Sequence, residues 1–146
     1  MKGIVSALLT LVAAAGLVVL PAVTAVHAQC TNATLTGNYG VILQGFTTLK
    51  GPNNEVPIAV AGLVTFDGAG NASISWSSAF NGAISTGLNS SGPYTVNSDC
   101  TGSWAITKGD SAGLFSSNLV IISGGAEVFG LDTAPANTIS FELKKQ

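Results

Sequence analysis

Beyond residue 28 the chain falls into short runs in which apolar and polar residues take turns. In Ala72-Ser-Ile-Ser-Trp-Ser-Ser-Ala-Phe80, positions 72, 74, 76 and 80 are apolar and 73, 75 and 77 are serine. Successive side chains of a strand point to opposite faces, so this run predicts one apolar face and one covered by hydroxyls. Gly102-Ser-Trp-Ala-Ile-Thr107 repeats the pattern, with Trp104 and Ile106 opposite Ser103 and Thr107. Helical periodicity is hard to find in the same region.

The alternation predicts strands over 35–46, 58–66, 72–80, 84–88 with a continuation at 92–96, 102–107, 114–123, 127–132 and 138–144. Between them lie GPNN (51–54), DGAGN (67–71), NG (81–82), NSDCTG (97–102), KGDSAG (108–113), SGG (123–125) and TAPAN (133–137). Most of these are short enough for hairpins, so neighbouring strands should pair in a meander. The fold class expected is all-β, a small antiparallel barrel of about eight strands, because closure removes the exposed edges on which such chains aggregate. Both tryptophans then point inward. Ile74, Trp76, Trp104 and Ile106 become the expected lining of any ligand cavity. Leu119-Val-Ile-Ile122 is apolar on both faces, which predicts a strand covered on both sides or a contact between copies in a homo-oligomer.

The first 28 residues read differently. Lys2, an apolar run from Ile4 to Leu20, Pro21 and a short stretch ending at Ala28 are the parts of a secretory signal. The run is long enough for an uncleaved anchor, but Pro21 breaks the helix and Ala28 offers a peptidase its small residue, which favours cleavage. Gln29 before Cys30 rules out a lipoprotein signal. The expected organisation is a signal peptide over 1–28 and one barrel domain over 29–146. The product would be secreted, periplasmic or extracellular, with no stable membrane insertion after cleavage. An outer-membrane barrel is the rival. Short strands, absent aromatic girdles, Ser/Thr-rich outer faces and the ending "ELKKQ" stand against it.

Charge narrows the partners. After residue 28 there is no Arg and no His, and Lys50, Lys108, Lys144 and Lys145 face Glu55, Asp67, Asp99, Asp110, Glu127, Asp132 and Glu142, a net of −3. Nucleic acid is excluded as a partner, because phosphate binding needs clustered cations. Cys30 and Cys100 are an even pair in an exported chain and predict one disulfide. No metal site is expected from two lone cysteines without His. Sequons at Asn32, Asn71 and Asn89 mark those stretches as polar enough for the surface.

The stretches "TLTGNYGVILQGF", "VTFDGAGN", "SGPYTVNSDCTGSWAIT", "VFGLDT" and "FELKKQ" together resemble a family of exported bacterial all-β proteins of unknown function. That family is similar in outline to the allene oxide cyclase and dirigent-like barrel superfamily. The resemblance covers most of the chain after the leader and implies an eight-stranded barrel with an apolar cavity. Its motifs are turns and strands, so it implies a fold more than an activity.

Candidate chemistry is sparse. Without His there is no base for a Ser or Cys nucleophile, and no phosphate loop or dinucleotide fingerprint is present, so no cofactor is expected. "DGAGN" could gather oxygens round a ligand. It reads better as a hairpin turn in which Asp67 caps amides, Gly68 and Gly70 take positive φ and Asn71 tolerates the left-handed region. Tyr39 and Tyr94 are expected as core tyrosines with bonded hydroxyls. Glu142, on a face with Lys144, reads as an outer position. Glu127 shares a face with Phe129 and Leu131, and if that face looked inward it would be the candidate general acid or base. Three function classes follow. One is a non-catalytic exported barrel binding a small apolar molecule, and the second a self-associating surface protein. The third is a cofactor-free isomerase or cyclase, placed last because likeness of fold is weak warrant for activity.

Overall fold

The computed structural model describes residues 29–48, 54–111 and 113–146. The expected leader lies outside these residues. Nine strands follow in chain order: β1 (Thr36–Thr48), β2 (Glu55–Asp67), β3 (Asn71–Phe80), β4 (Ala83–Val96), β5 (Thr101–Ala105), β6 (Lys108–Gly109), β7 (Ser116–Ile122), β8 (Glu127–Asp132) and β9 (Asn137–Lys145). The sheet runs β3-β2-β1-β9-β8-β7-β5-β4, and β3 pairs back onto β4, so eight antiparallel strands close a barrel. Two-residue β6 is an addition, laid against Ser90 and Ser91 of β4. The fold is the antiparallel barrel that the alternation predicts.

Two local expectations change. β4 is one continuous strand across the polar Asn89-Ser-Ser91, not two pieces, because Ser90 turns inward and its hydroxyl finds partners there. Asn71 is not left-handed. It opens β3, donating its backbone N–H (2.9 Å) and its Nδ2 (2.7 Å) to the two oxygens of Asp67, while Ala69 N donates to Asp67 Oδ1 at 2.8 Å. The positive φ angles in "DGAGN" belong to Gly68 and Gly70 alone. Asn81 and Gly82 both take positive φ, the conformation that a two-residue hairpin turn requires.

One half of the barrel is filled by its own side chains. This is the end at which β1, β3, β5, β8 start and β2, β4, β7, β9 finish. Tyr39, Val64, Phe66, Tyr94, Val128 and Leu143 meet there, all essentially without solvent contact. Phe66 stands edge-on to Tyr39 (centroids 5.3 Å apart), Tyr94 (4.9 Å) and Trp104 (6.0 Å). A short 3-10 turn at Asn32–Thr34 and Leu35 cover this end. Tyr94 Oη lies 2.9 Å from the carbonyl oxygens of both Asn32 and Leu35, and Tyr39 Oη donates to Gly125 O at 2.6 Å. Burial raises both phenols above their ordinary value, so both hydroxyls stay protonated and serve as hydrogen-bond donors.

Asn32 proves to be part of this cover instead of a free surface sequon. It is half-buried and its Oδ1 accepts the Val96 N–H at 2.7 Å. The expected disulfide joins Cys30 to Cys100, with Cα atoms 5.0 Å apart, and ties the cover to the turn after β4. Closing a loop of this length stabilises the fold by about 4 kcal/mol in the chain-entropy description.

The three donors on Asp67, chief among them the Asn71 side chain, lower its carboxyl from 3.8 to about 2. Its contribution to stability is therefore complete above pH 3.8 and lost as pH falls through about 2. Thermal melts of wild type and Asp67→Ala should differ in Tm at neutral pH and converge as the pH drops through that window. A difference that stays constant down to the lowest pH would show that the carboxylate form plays no part.

Candidate functional site

The other half of the barrel is hollow. A cavity of about 750 Å³ opens at the end where β1 and β3 finish and β2 and β4 begin. Its walls are inward side chains from round the barrel: Leu43 on β1, Ile58 and Val60 on β2, Ile74, Trp76 and Phe80 on β3, Leu88 on β4, Ile139 and Phe141 on β9. Trp104 and Ile106 belong to the same lining. All four residues expected from the alternation, Ile74, Trp76, Trp104 and Ile106, thus meet at one cavity.

Trp104 forms the floor. One side of it meets Phe66 of the filled half, and its ring is edge-on to Phe115 (5.4 Å) and Phe141 (6.2 Å). Its Nε1 is buried with no hydrogen-bond partner among the described residues. Trp76 has a polar tether. Its Nε1 donates to Ser90 Oγ at 3.4 Å, which lies 3.0 Å from Ser111 Oγ and accepts Ser111 N at 3.3 Å. These contacts anchor the segment after β6 to the cavity wall.

Two backbone features make room for the aromatic walls. Between Trp76 and Ser78 on β3 the pairing with β4 slips, so that Ser77 faces Thr86 and Gly87, and Gly87 takes φ +70°. Such a bulge re-aims the neighbouring side chains, here Trp76 and Leu88. Gly130 on β8 pairs with Phe141, and a Cβ at Gly130 would collide with the Phe141 ring. Gly62 plays the same part opposite Trp76, where an added Cβ would come within 2.9 Å of Trp76 Cβ.

The rim is polar and acidic. Thr47, Ser85, Asp110, Ser111 and Asn137 border the opening. Asp132, on the lining, is only 5% exposed. Its Oδ1 accepts Ala134 N (2.9 Å) and Ser116 N (3.3 Å), and its Oδ2 accepts Asn137 Nδ2 (2.7 Å), so it holds the β8–β9 connection together. Asp110 is exposed, and its Oδ2 accepts Asn89 N at 2.6 Å. Alternation from Val128 places Asp132 inward, a signal already in the sequence. Nothing comparable pointed to Asp110, which lies in a loop.

Glu127 is elsewhere. Val128 and Asp132 occupy the inner face of β8, while Phe129 and Leu131 are 45% and 55% exposed on the outer one. Glu127 shares their face, so the condition for an acid in the cavity, that this face look inward, is not met. Alternation fixes which residues share a face but not which face is inside. Glu142 is on the outer wall with Lys144, 3.1 Å away. Among the described residues no cluster of His, Cys, Asp and Glu could hold a metal, and no helix is long and apolar enough to cross a membrane.

Gly130→Ala should cost about 1–3 kcal/mol in urea unfolding, the usual penalty for overpacking, because Phe141 must move. An unchanged midpoint would show that the ring is not held over Gly130.

Comparison of the chain with protein-family models, with curated proteins and with solved structures finds no match. The cavity and its chemistry therefore carry the functional reading.

Proposed function

We propose that the protein is an exported, non-catalytic barrel that holds a small apolar molecule in its open half. The observation that carries this reading is the division of the interior. A packed aromatic core fills one end, while at the other about 750 Å³ lined by Ile74, Trp76, Trp104 and Ile106 opens to solvent. Ligand sites are concave and mostly apolar with a few polar groups at the edge, and several hundred Å³ suits a small molecule. Export is supported by the Cys30–Cys100 disulfide, a bond of oxidising compartments. The outer wall of β3–β5 exposes Ser73, Ser75, Asn89, Thr95 and Ser103, which favours water over lipid around that side.

The cyclase reading loses its acid, since Glu127 is on the outer wall and the Tyr39 and Tyr94 hydroxyls are bonded in the filled half. Self-association is favoured by one observation. Val120 and Phe129 are paired neighbours on the outer wall, 51% and 45% exposed, with Leu131 at 55% on the same face. Leu119 and Ile121 of the same strand face inward, while Val120 and the half-buried Ile122 are on the outer face.

Native mass spectrometry with the neutral dye N-phenyl-1-naphthylamine separates these readings. Burial of about a dozen carbons, less the cost of association, gives a Kd in the roughly micromolar range. One dye per chain is expected, with binding weakened at least about ten-fold in Val60→Trp, whose larger ring intrudes on the cavity from its wall. Absence of saturable binding, or binding indifferent to Val60→Trp, contradicts the cavity reading. Dimers that vanish in Leu131→Lys would support self-association instead.

A further inference from the structure

We propose that the cavity selects apolar molecules with a neutral or cationic polar end and discriminates against carboxylates such as fatty acids. The inference rests on the cavity-binding reading above and adds the charge of the ligand. Among the described residues, the only charged side chains on the lining are Asp110 and Asp132. None of the described lysines joins them. Lys144 pairs with Glu142 on the outer wall, Lys145 stands 5.8 Å from the Tyr39 ring centroid at the filled end, and Lys108 is exposed on β6 and is not a lining residue.

A carboxylate entering this space leaves water, and it needs a cation or several converging donors in return. The donors at the rim are already committed. Ser116 N, Ala134 N and Asn137 Nδ2 serve Asp132, and Asn89 N serves Asp110. Among the described residues, what remains at the rim is hydroxyls, such as those of Thr47 and Ser85, beside two negative charges, and at the floor the single unpartnered Nε1–H of Trp104. An alcohol can exchange hydrogen bonds with those hydroxyls. An ammonium group gains from both aspartates. A carboxylate meets like charge in a cleft whose apolar walls weaken screening. The depth of the cavity thus sets affinity through burial, and its rim sets the sign of the head group.

Three probes with the same twelve-carbon chain isolate the head group: dodecylamine, 1-dodecanol and laurate, each titrated below its aggregation limit at pH 7 and followed by tryptophan fluorescence. Dodecylamine should bind at least as tightly as dodecanol, and laurate about ten-fold or more weaker. Asp110→Asn should narrow the gap between amine and laurate, as should raising the salt. Ser85→Lys, at an exposed rim position, should improve laurate and so keeps the test decisive if Asp110→Asn does not fold. Laurate binding as tightly as dodecanol overturns the charge selection while leaving the cavity reading intact. If none of the three binds saturably, the cavity reading falls and takes this inference with it.

Discussion

The ring of Phe66, edge-on to Tyr39, Tyr94 and Trp104, is the contact on which the rest of the structure depends. These four side chains come from β1, β2, β4 and β5, so one aromatic cluster fixes how strands distant in sequence face each other across the barrel. Edge-to-face pairs contribute about 0.5–1.5 kcal/mol each beyond the area they bury, and they prefer particular angles, so the cluster orients as well as stabilises. The phenol groups extend it outward. Their hydroxyls reach main-chain carbonyls of Asn32, Leu35 and Gly125, tying the cover to the core at points no strand pairing reaches.

Because the filled end is so well specified, the open end need not be. The disulfide, the Asp67 turn and the tyrosine bonds all gather where the aromatic cluster lies. At the opposite end the walls are held by strand pairing, the Asn81-Gly82 turn and the Asp132 bonds, leaving space that side chains do not enter. Gly62 and Gly130 let Trp76 and Phe141 lie close against neighbouring backbone. Large residues line the cavity without occupying it.

Much of this was legible in the residues. Strict alternation in 72–80 and 102–107 put both tryptophans inside, and the pair of cysteines gave the disulfide. The turn reading of "DGAGN" was right in its main agent, Asp67, and wrong for Asn71, whose side chain donates to Asp67. Polar inner positions were the hardest to read. Asn89-Ser-Ser91 looked like a break because serine on an inner face is intelligible only once Trp76 and Ser111 stand beside it. Glu127 was ambiguous for a related reason, since apolar Phe129 and Leu131 gave the outer face of β8 the appearance of an inner one. Hollowness itself was not readable from the pattern of any strand. It depends on how far side chains from opposite strands reach across the barrel, which no single strand encodes.

The central claim, a barrel filled at one end and open at the other, is tested most directly by methyl NMR during titration with a neutral aliphatic alcohol. The expected result is that methyl shifts move at Leu43, Ile58, Val60, Leu88 and Ile139, which line the cavity. Leu35, Val64, Val128 and Leu143, in the filled half, should stay in place. Shifts spread over both sets, or confined to Ile42, Val120 and Leu131 on the outer wall, would contradict it.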